Sequence, residues 1–160
     1  MRDYNKKRYI ELVKEQAKAK GIYWYNDDKD WEKWLELSDY TTILSDYLVW
    51  VEREEFLVII EKFLNNTIEF EQFEEEFSKL WVTTQIKSYR SGRNLIIIKM
   101  IDPDPQSDSF CSYMTAIYRG FEAVEDEVST EEELKLFVKS LLIKIKSLYF
   151  NSEKSDVNSN

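Results

Sequence analysis

S-T-E-E-E-L-K-L-F-V-K-S-L-L-I-K-I-K-S-L, residues 129–148, decides the fold class. Leu134, Phe137, Val138, Leu141, Leu142, Ile145 and Leu148 recur in steps of three and four, which puts one apolar stripe along one face of a helix. The start is written into the same stretch. Thr130 followed three residues later by Glu133 is a capping box, and Glu131 and Glu132 stand where the positive end of the helix dipole favours acids.

Upstream, Phe110, Tyr113, Met114, Ile117, Phe121 and Val124 repeat the spacing after the turn-forming D-P-D-P-Q-S-D-S, where Ser107 or Asp108 is expected to cap. Met114 and these aromatics are read as core. A further helix is predicted from about Ile68 to Tyr89. It carries Phe70, Phe73, Phe77, Leu80 and Trp81 on one side, with Glu71, Glu74, Glu75 and Glu76 largely on the other as a solvated face. Asn65 and Asn66 close the helix before it, which covers roughly Phe56 to Leu64 and extends towards Ser38 through Ile43, Leu44, Tyr47, Leu48 and Val51. The apolar phase slips over Val51–Phe56, so this segment is either one bent helix or two helices joined at the slip. L-I-I-I-K-M-I, residues 95–101, is open between strand and helix: its isoleucines favour a strand, yet no partner strand is evident.

Gly21, Gly92 and Gly120 are the only glycines and Pro103 and Pro105 the only prolines, which disfavours hairpins and favours long helices. The first forty residues differ in character: basic over Met1–Lys20, then rich in aromatics at Tyr23, Trp24, Tyr25, Trp31 and Trp34. A basic amphipathic helix is expected there, its cations pairing with the acidic body rather than touching phosphate. The expectation is an all-α protein, with residues 1–150 forming a single helical domain. Residues 1–45 are its N-terminal extension and 46–150 its bundle, while the polar segment 151–160 is read as a disordered tail.

The chain has 160 residues, 43% of them hydrophobic, which suffices for one core. No stretch is long and apolar enough to span a membrane, and the first residues lack the apolar segment of a secretory signal, so a cytoplasmic location is expected. With 31 acids against 22 bases the formal charge is −9, which disfavours nucleic acid and anionic lipid as partners and favours a basic one. There is no histidine, which removes Ser-His-Asp and Cys-His arrangements and the commonest metal ligand. Cys111 is the sole cysteine and is expected in the core. No phosphate-cradling glycine loop and no nucleophile elbow is present. No enzyme activity, cofactor or metal is therefore expected.

The densest charge is G-F-E-A-V-E-D-E-V-S-T-E-E-E, residues 120–133, with seven acids and no base. Held together, Glu122, Glu125, Asp126, Glu127, Glu131 and Glu132 would form an anionic surface able to imitate phosphates and occupy a basic active site. The bland alternative is a helix-joining loop whose acids complement a dipole.

F-L-N-N-T-I-E-F-E-Q-F-E-E-E-F-S-K-L-W, F-C-S-Y-M-T-A-I-Y-R-G-F-E-A-V-E-D-E and S-T-E-E-E-L-K-L-F-V-K-S-L-L together resemble the colicin-like bacterial immunity proteins over about Phe56–Tyr149. That family includes inhibitors of tRNA-cleaving colicins and related contact-dependent toxins. The resemblance implies an antiparallel four-helix bundle that blocks the basic active site of a toxin nuclease domain with acidic side chains, and it implies no catalytic residues. The long aromatic N-terminal extension departs from the pattern. It motivates an alternative expectation, a non-catalytic accessory or assembly subunit that docks through the extension.

Overall fold

The computed structural model describes residues 3–18 and 28–157. It is all-α, with no strand among the described residues. Among the described residues seven helices follow one another: α1 Lys6–Lys18, α2 Asp28–Val51, α3 Arg53–Leu64, α4 Phe70–Ser91, α5 Leu95–Met100, α6 Ser107–Glu125 and α7 Glu131–Val157.

The slip after Val51 resolves as a break. At Glu52 the backbone leaves the regular helix (φ −87°, ψ 13°) and α3 starts afresh. Arg53 closes the joint: it donates to the Trp50 carbonyl at 3.1 Å and lays its guanidinium 4.7 Å from the centre of the Trp50 ring. A cation is thereby placed on the negative end of α2. The break turns the apolar face of α3 back onto the core, where Phe56, Ile59, Ile60 and Phe63 are buried.

α3 touches α4 and α7, α6 touches the same two helices, and α2 lies across α4 and α6. Phe56, Phe63, Phe73, Phe77, Phe110, Met114, Ile117, Phe121, Val138 and Ile145 fill the space between them, joined by Val49 and Trp50 of α2. Phe63 stacks on Phe73 at 4.2 Å between ring centres, and Phe121 meets Phe73 and Phe77 edge-on at 5.2 and 5.5 Å. Ile68, just before α4, is buried with Phe73 in the same core, the hydrophobic staple that sets how the chain enters the helix. Cys111 is buried here, as expected. Along α7 the stripe runs through Leu134, Val138, Leu141 and Ile145, and Phe137 falls at its edge, 41% exposed.

A second core lies beside the first. Tyr9, Leu12 and Val13 of α1 close on Leu37, Tyr40 and Leu44 of α2 and on Ile98 and Ile101 of the 95–101 segment. That segment is helical. With no strand beside it among the described residues, its backbone groups are satisfied only by coiling upon themselves, and Asn94 starts the coil by accepting from the amides of Ile96 and Ile97 at 3.0 and 3.4 Å. α1 and α2 thus meet an element drawn from the middle of the chain. α2 runs without interruption through residue 45 and supplies both cores.

Two local expectations are revised. Neither Ser107 nor Asp108 caps α6: Gln106 is the N-cap residue without a side-chain cap bond, while the Asp104 carboxylate accepts from the Gln106 amide at 2.8 Å. Ser107 is instead the first helical residue, and it is buried. The final helix runs on to Val157, through most of the polar segment read as a disordered tail, because an established helix extends at little cost per residue. Residues 158–160 lie outside the described part.

Candidate partner-binding surface

The acidic hairpin between α6 and α7 is shaped by two caps. At the end of α6 the Val128 amide donates to the Ala123 carbonyl at 2.9 Å and the Glu127 amide to the Val124 carbonyl at 3.1 Å. This is a Schellman closure, and it requires a left-handed residue. Glu127 supplies it, with φ 56°. α7 then opens with the predicted capping box: the Glu133 amide donates to Thr130 Oγ1 at 3.2 Å and the Thr130 amide to Glu133 Oε2 at 3.1 Å. Glu133 is thereby spent on the cap, and the Ser129 hydroxyl binds it as well at 3.1 Å.

Glu122, Glu125, Asp126, Glu127, Glu131 and Glu132 are all exposed around this hairpin. The turn also lifts Val128 into solvent, 80% exposed among the acids. Sequence reasoning passes over Val128. Its signal is local: one branched aliphatic residue in a run of charge, at the position after the left-handed residue.

A second acidic run joins the first. Glu74 of α4, read from sequence as part of a solvated face, is half-buried and faces Glu125. Burial, then the charge of Glu125 and a hydrogen bond shared with it, then the charge of Glu71, hold the Glu74 carboxyl above the usual carboxylate range. The first turns of α4 and the α6–α7 hairpin therefore form one continuous anionic end. Glu76 is drawn off by Lys62 at 3.2 Å and Gln72 at 2.8 Å. Lys135 is also engaged, reaching the Asn66 side chain across 4.8 Å from the Phe63 ring centre, where it ties α7 to the end of α3.

Two of the cations of the N-terminal helix are paired, while Lys7, Lys14 and Lys18 are exposed. Arg8 binds Glu36 through both Nε, at 3.1 Å, and Nη2, at 2.9 Å. Lys6 meets Asp102 at 2.6 Å and Lys33 meets Glu15 at 3.0 Å. Tyr9 is buried and its hydroxyl donates to the Gly92 carbonyl at 2.9 Å. Trp31 and Trp34 stack at 4.9 Å, while Tyr23, Trp24 and Tyr25 lie outside the described residues.

Other groups with chemical potential are held inert. Burial, and then the neighbouring Asp46 carboxylate, push the Cys111 thiol far up, away from a reactive thiolate. Burial likewise raises Asp46, itself almost wholly enclosed between α2 and α6. Among the described residues no group of three or more acids or cysteines stands together as a metal site, and no helix is long and apolar enough to cross a membrane. Between α1, α2 and the end of α4 lies a cavity of about 180 Å³ lined by Gln16, Trp34, Leu37, Tyr89 and Arg93, among others. Comparison with protein-family models, with curated proteins and with solved structures finds no match.

Proposed function

We propose that this chain is an immunity protein that binds a cognate basic nuclease toxin in the cytoplasm and blocks its active site without chemistry of its own. The frame of the proposal is an antiparallel four-helix bundle of α3, α4, α6 and α7, and its contact set is Glu122, Glu125, Asp126, Glu127, Glu131 and Glu132. The observation that carries it is the meeting of Glu74 with Glu125, which merges two acidic runs into one end of the molecule. Like charges held this close are unfavourable in the free protein. A partner that brings lysine or arginine to them relieves that repulsion, speeds encounter and covers the groups that would otherwise bind substrate phosphates.

The accessory-subunit reading relies on an aromatic extension free to dock elsewhere. Tyr9 and Tyr40 of that extension are buried in the chain's own second core, while Trp31 is 46% exposed. The decisive experiment pairs the chain with the nuclease domain encoded beside it and measures affinity by calorimetry and protection by tRNA cleavage. The double reversal E125K/D126K is expected to weaken binding at least tenfold and abolish protection, since a desolvated charge pair contributes about 2 to 5 kcal/mol when one partner is lost. Unchanged protection by that variant, with its fold intact by circular dichroism, would remove the acidic end from the mechanism.

A further inference from the structure

The acidic end has a counterpart on the same molecule. From Phe77 to Ile101 the sequence carries Lys79, Lys87, Arg90, Arg93 and Lys99 and no acid at all, in a chain of 31 acids. α4 is thus divided lengthwise, with Glu71, Glu74, Glu75 and Glu76 in its first half and cations in its second. This basic half is also apolar on its outer side. Val82, Ile86 and Tyr89 follow at helical spacing on one face and all three are exposed, Tyr89 by 73%. Arg93 lies 5.9 Å from the centre of the Tyr89 ring, and α5 adds Ile96 and Met100, 71% and 79% exposed.

Within the monomer Lys87 is answered by Glu52 at 2.6 Å, and Val82, Ile86, Tyr89, Ile96 and Met100 stay exposed. Along α4, Glu74 and Tyr89 are separated by about 22 Å at the ordinary rise of a helix, so the acidic end of one molecule does not reach its own basic end. An extended anionic surface, whether lipid or nucleic acid, meets the repulsion of the whole −9 chain. A second copy carries the same net charge, but it gathers acids into one hairpin, with Val128 standing out from among them, and leaves its own basic end away from the contact.

We propose that this protein associates head to tail, with the acidic α6–α7 hairpin of one copy seated on the basic, apolar end of α4 and α5 of the next. Arg90 and Arg93 then answer Glu125 and Asp126, and Val128 meets the apolar side of Tyr89. The two surfaces differ, so the contact is heterologous: it leaves a free end of each kind and either closes into a ring or continues as an open chain. It is also dominated by charge, so salt weakens it.

The test is sedimentation velocity on the full chain at increasing concentration, in 50 mM and 500 mM salt, with R90E/R93E and E125K/D126K alongside and their folding checked by circular dichroism. The wild type is expected to grow in mass with concentration at low salt and to fall back to the monomer at high salt, and each variant alone is expected to associate at least tenfold more weakly. Mixing the two variants is the sharper measurement: the acidic hairpin of R90E/R93E fits the basic end of E125K/D126K, and the two reversed ends are complementary to each other as well, so the mixture is expected to regain the association that each variant alone has lost. Three outcomes overturn the inference. They are a wild type that stays monomeric throughout, a mixture that remains monomeric, and an E125K/D126K variant that dimerises like the wild type, which would show a symmetric contact. A monomeric wild type that sediments with phosphatidylserine vesicles would reassign the face to lipid. Such failures leave the toxin proposal standing, because that proposal reads the acidic end against a nuclease; a chain that associates as described yet protects against no nuclease does the reverse.

Discussion

Replacing Glu127 with glycine should stabilise this protein, although it alters the centre of the acidic hairpin. Glu127 holds the left-handed position that closes α6, at φ 56°, where a side chain with a Cβ is disfavoured by about 1 to 2 kcal/mol. Glycine removes that penalty but has a freer unfolded chain, which takes back about 0.4 to 1 kcal/mol. The net backbone gain is about 0.5 to 1 kcal/mol. Removing the charge adds about 0.3 to 1 kcal/mol, because an acid at a helix C-terminus opposes the dipole. The variant E127Q carries the charge change alone, so the difference between E127G and E127Q isolates the backbone. Asn66 is the control: it occupies the matching position after α3 at φ 55°, and asparagine tolerates it, so N66G should shift stability by only a few tenths of a kcal/mol. Thermal and urea unfolding followed by circular dichroism would measure these, with about 2 to 4 °C expected per kcal/mol for a chain of this size. If E127G proves no more stable than E127Q, the left-handed closure of α6 is refuted.

Gly120 lies where α6 meets α7, and a Cβ there would overlap Cδ1 of the buried Leu134; overpacking of about 1 to 3 kcal/mol, offset by about 1 kcal/mol of helix propensity, should leave G120A less stable by up to about 2 kcal/mol in urea titration, and the double variant G120A/L134A should not equal the sum of the two single effects. E133A should lose about 0.5 to 2 kcal/mol by breaking the capping box, an effect that T130A repeats and the double variant does not double. Burial raises the carboxyl of Asp46, so the folded state holds that proton more tightly than the unfolded chain. Its contribution to stability is therefore full below the ordinary carboxylate range and is lost as pH rises from there through the raised value. D46N should abolish that part of the pH dependence and gain on the wild type as pH rises towards 7, as chemical unfolding across pH would show. Y9F leaves the Gly92 carbonyl without its 2.9 Å donor and should lower stability by about 1 kcal/mol, read from the urea midpoint.

What was legible in the sequence was what neighbouring residues decide between themselves. The Thr130–Glu133 box, the Asn65–Asn66 closure and the apolar stripes of α4, α6 and α7 are properties of segments a few turns long, and they stand where the spacing placed them. The 95–101 segment was undecidable for a physical reason: strand or helix depended on whether a partner strand existed, and what it met was Tyr9 and Leu12, from the far end of the chain. The same holds for the candidate surface. Its six acids were readable as a run, but the approach of Glu74 to Glu125 depends on how α4 and α6 lie against one another, and no local rule contains that. α6 starts one residue earlier than a cap at Ser107 would allow, with Gln106 in the N-cap position and no side-chain cap bond, and Asp104 closes the turn before it.

α2 enters the second core with Leu37, Tyr40 and Leu44 and the main core with Val49 and Trp50, without a break between them. An element shared in this way ties the fates of both ends. The two cores have no independent melting points: opening either one removes a wall from the other, so the chain should unfold in a single step. In hydrogen exchange, the amides between Leu44 and Trp50 should then be the slowest to exchange, released only when the whole molecule opens.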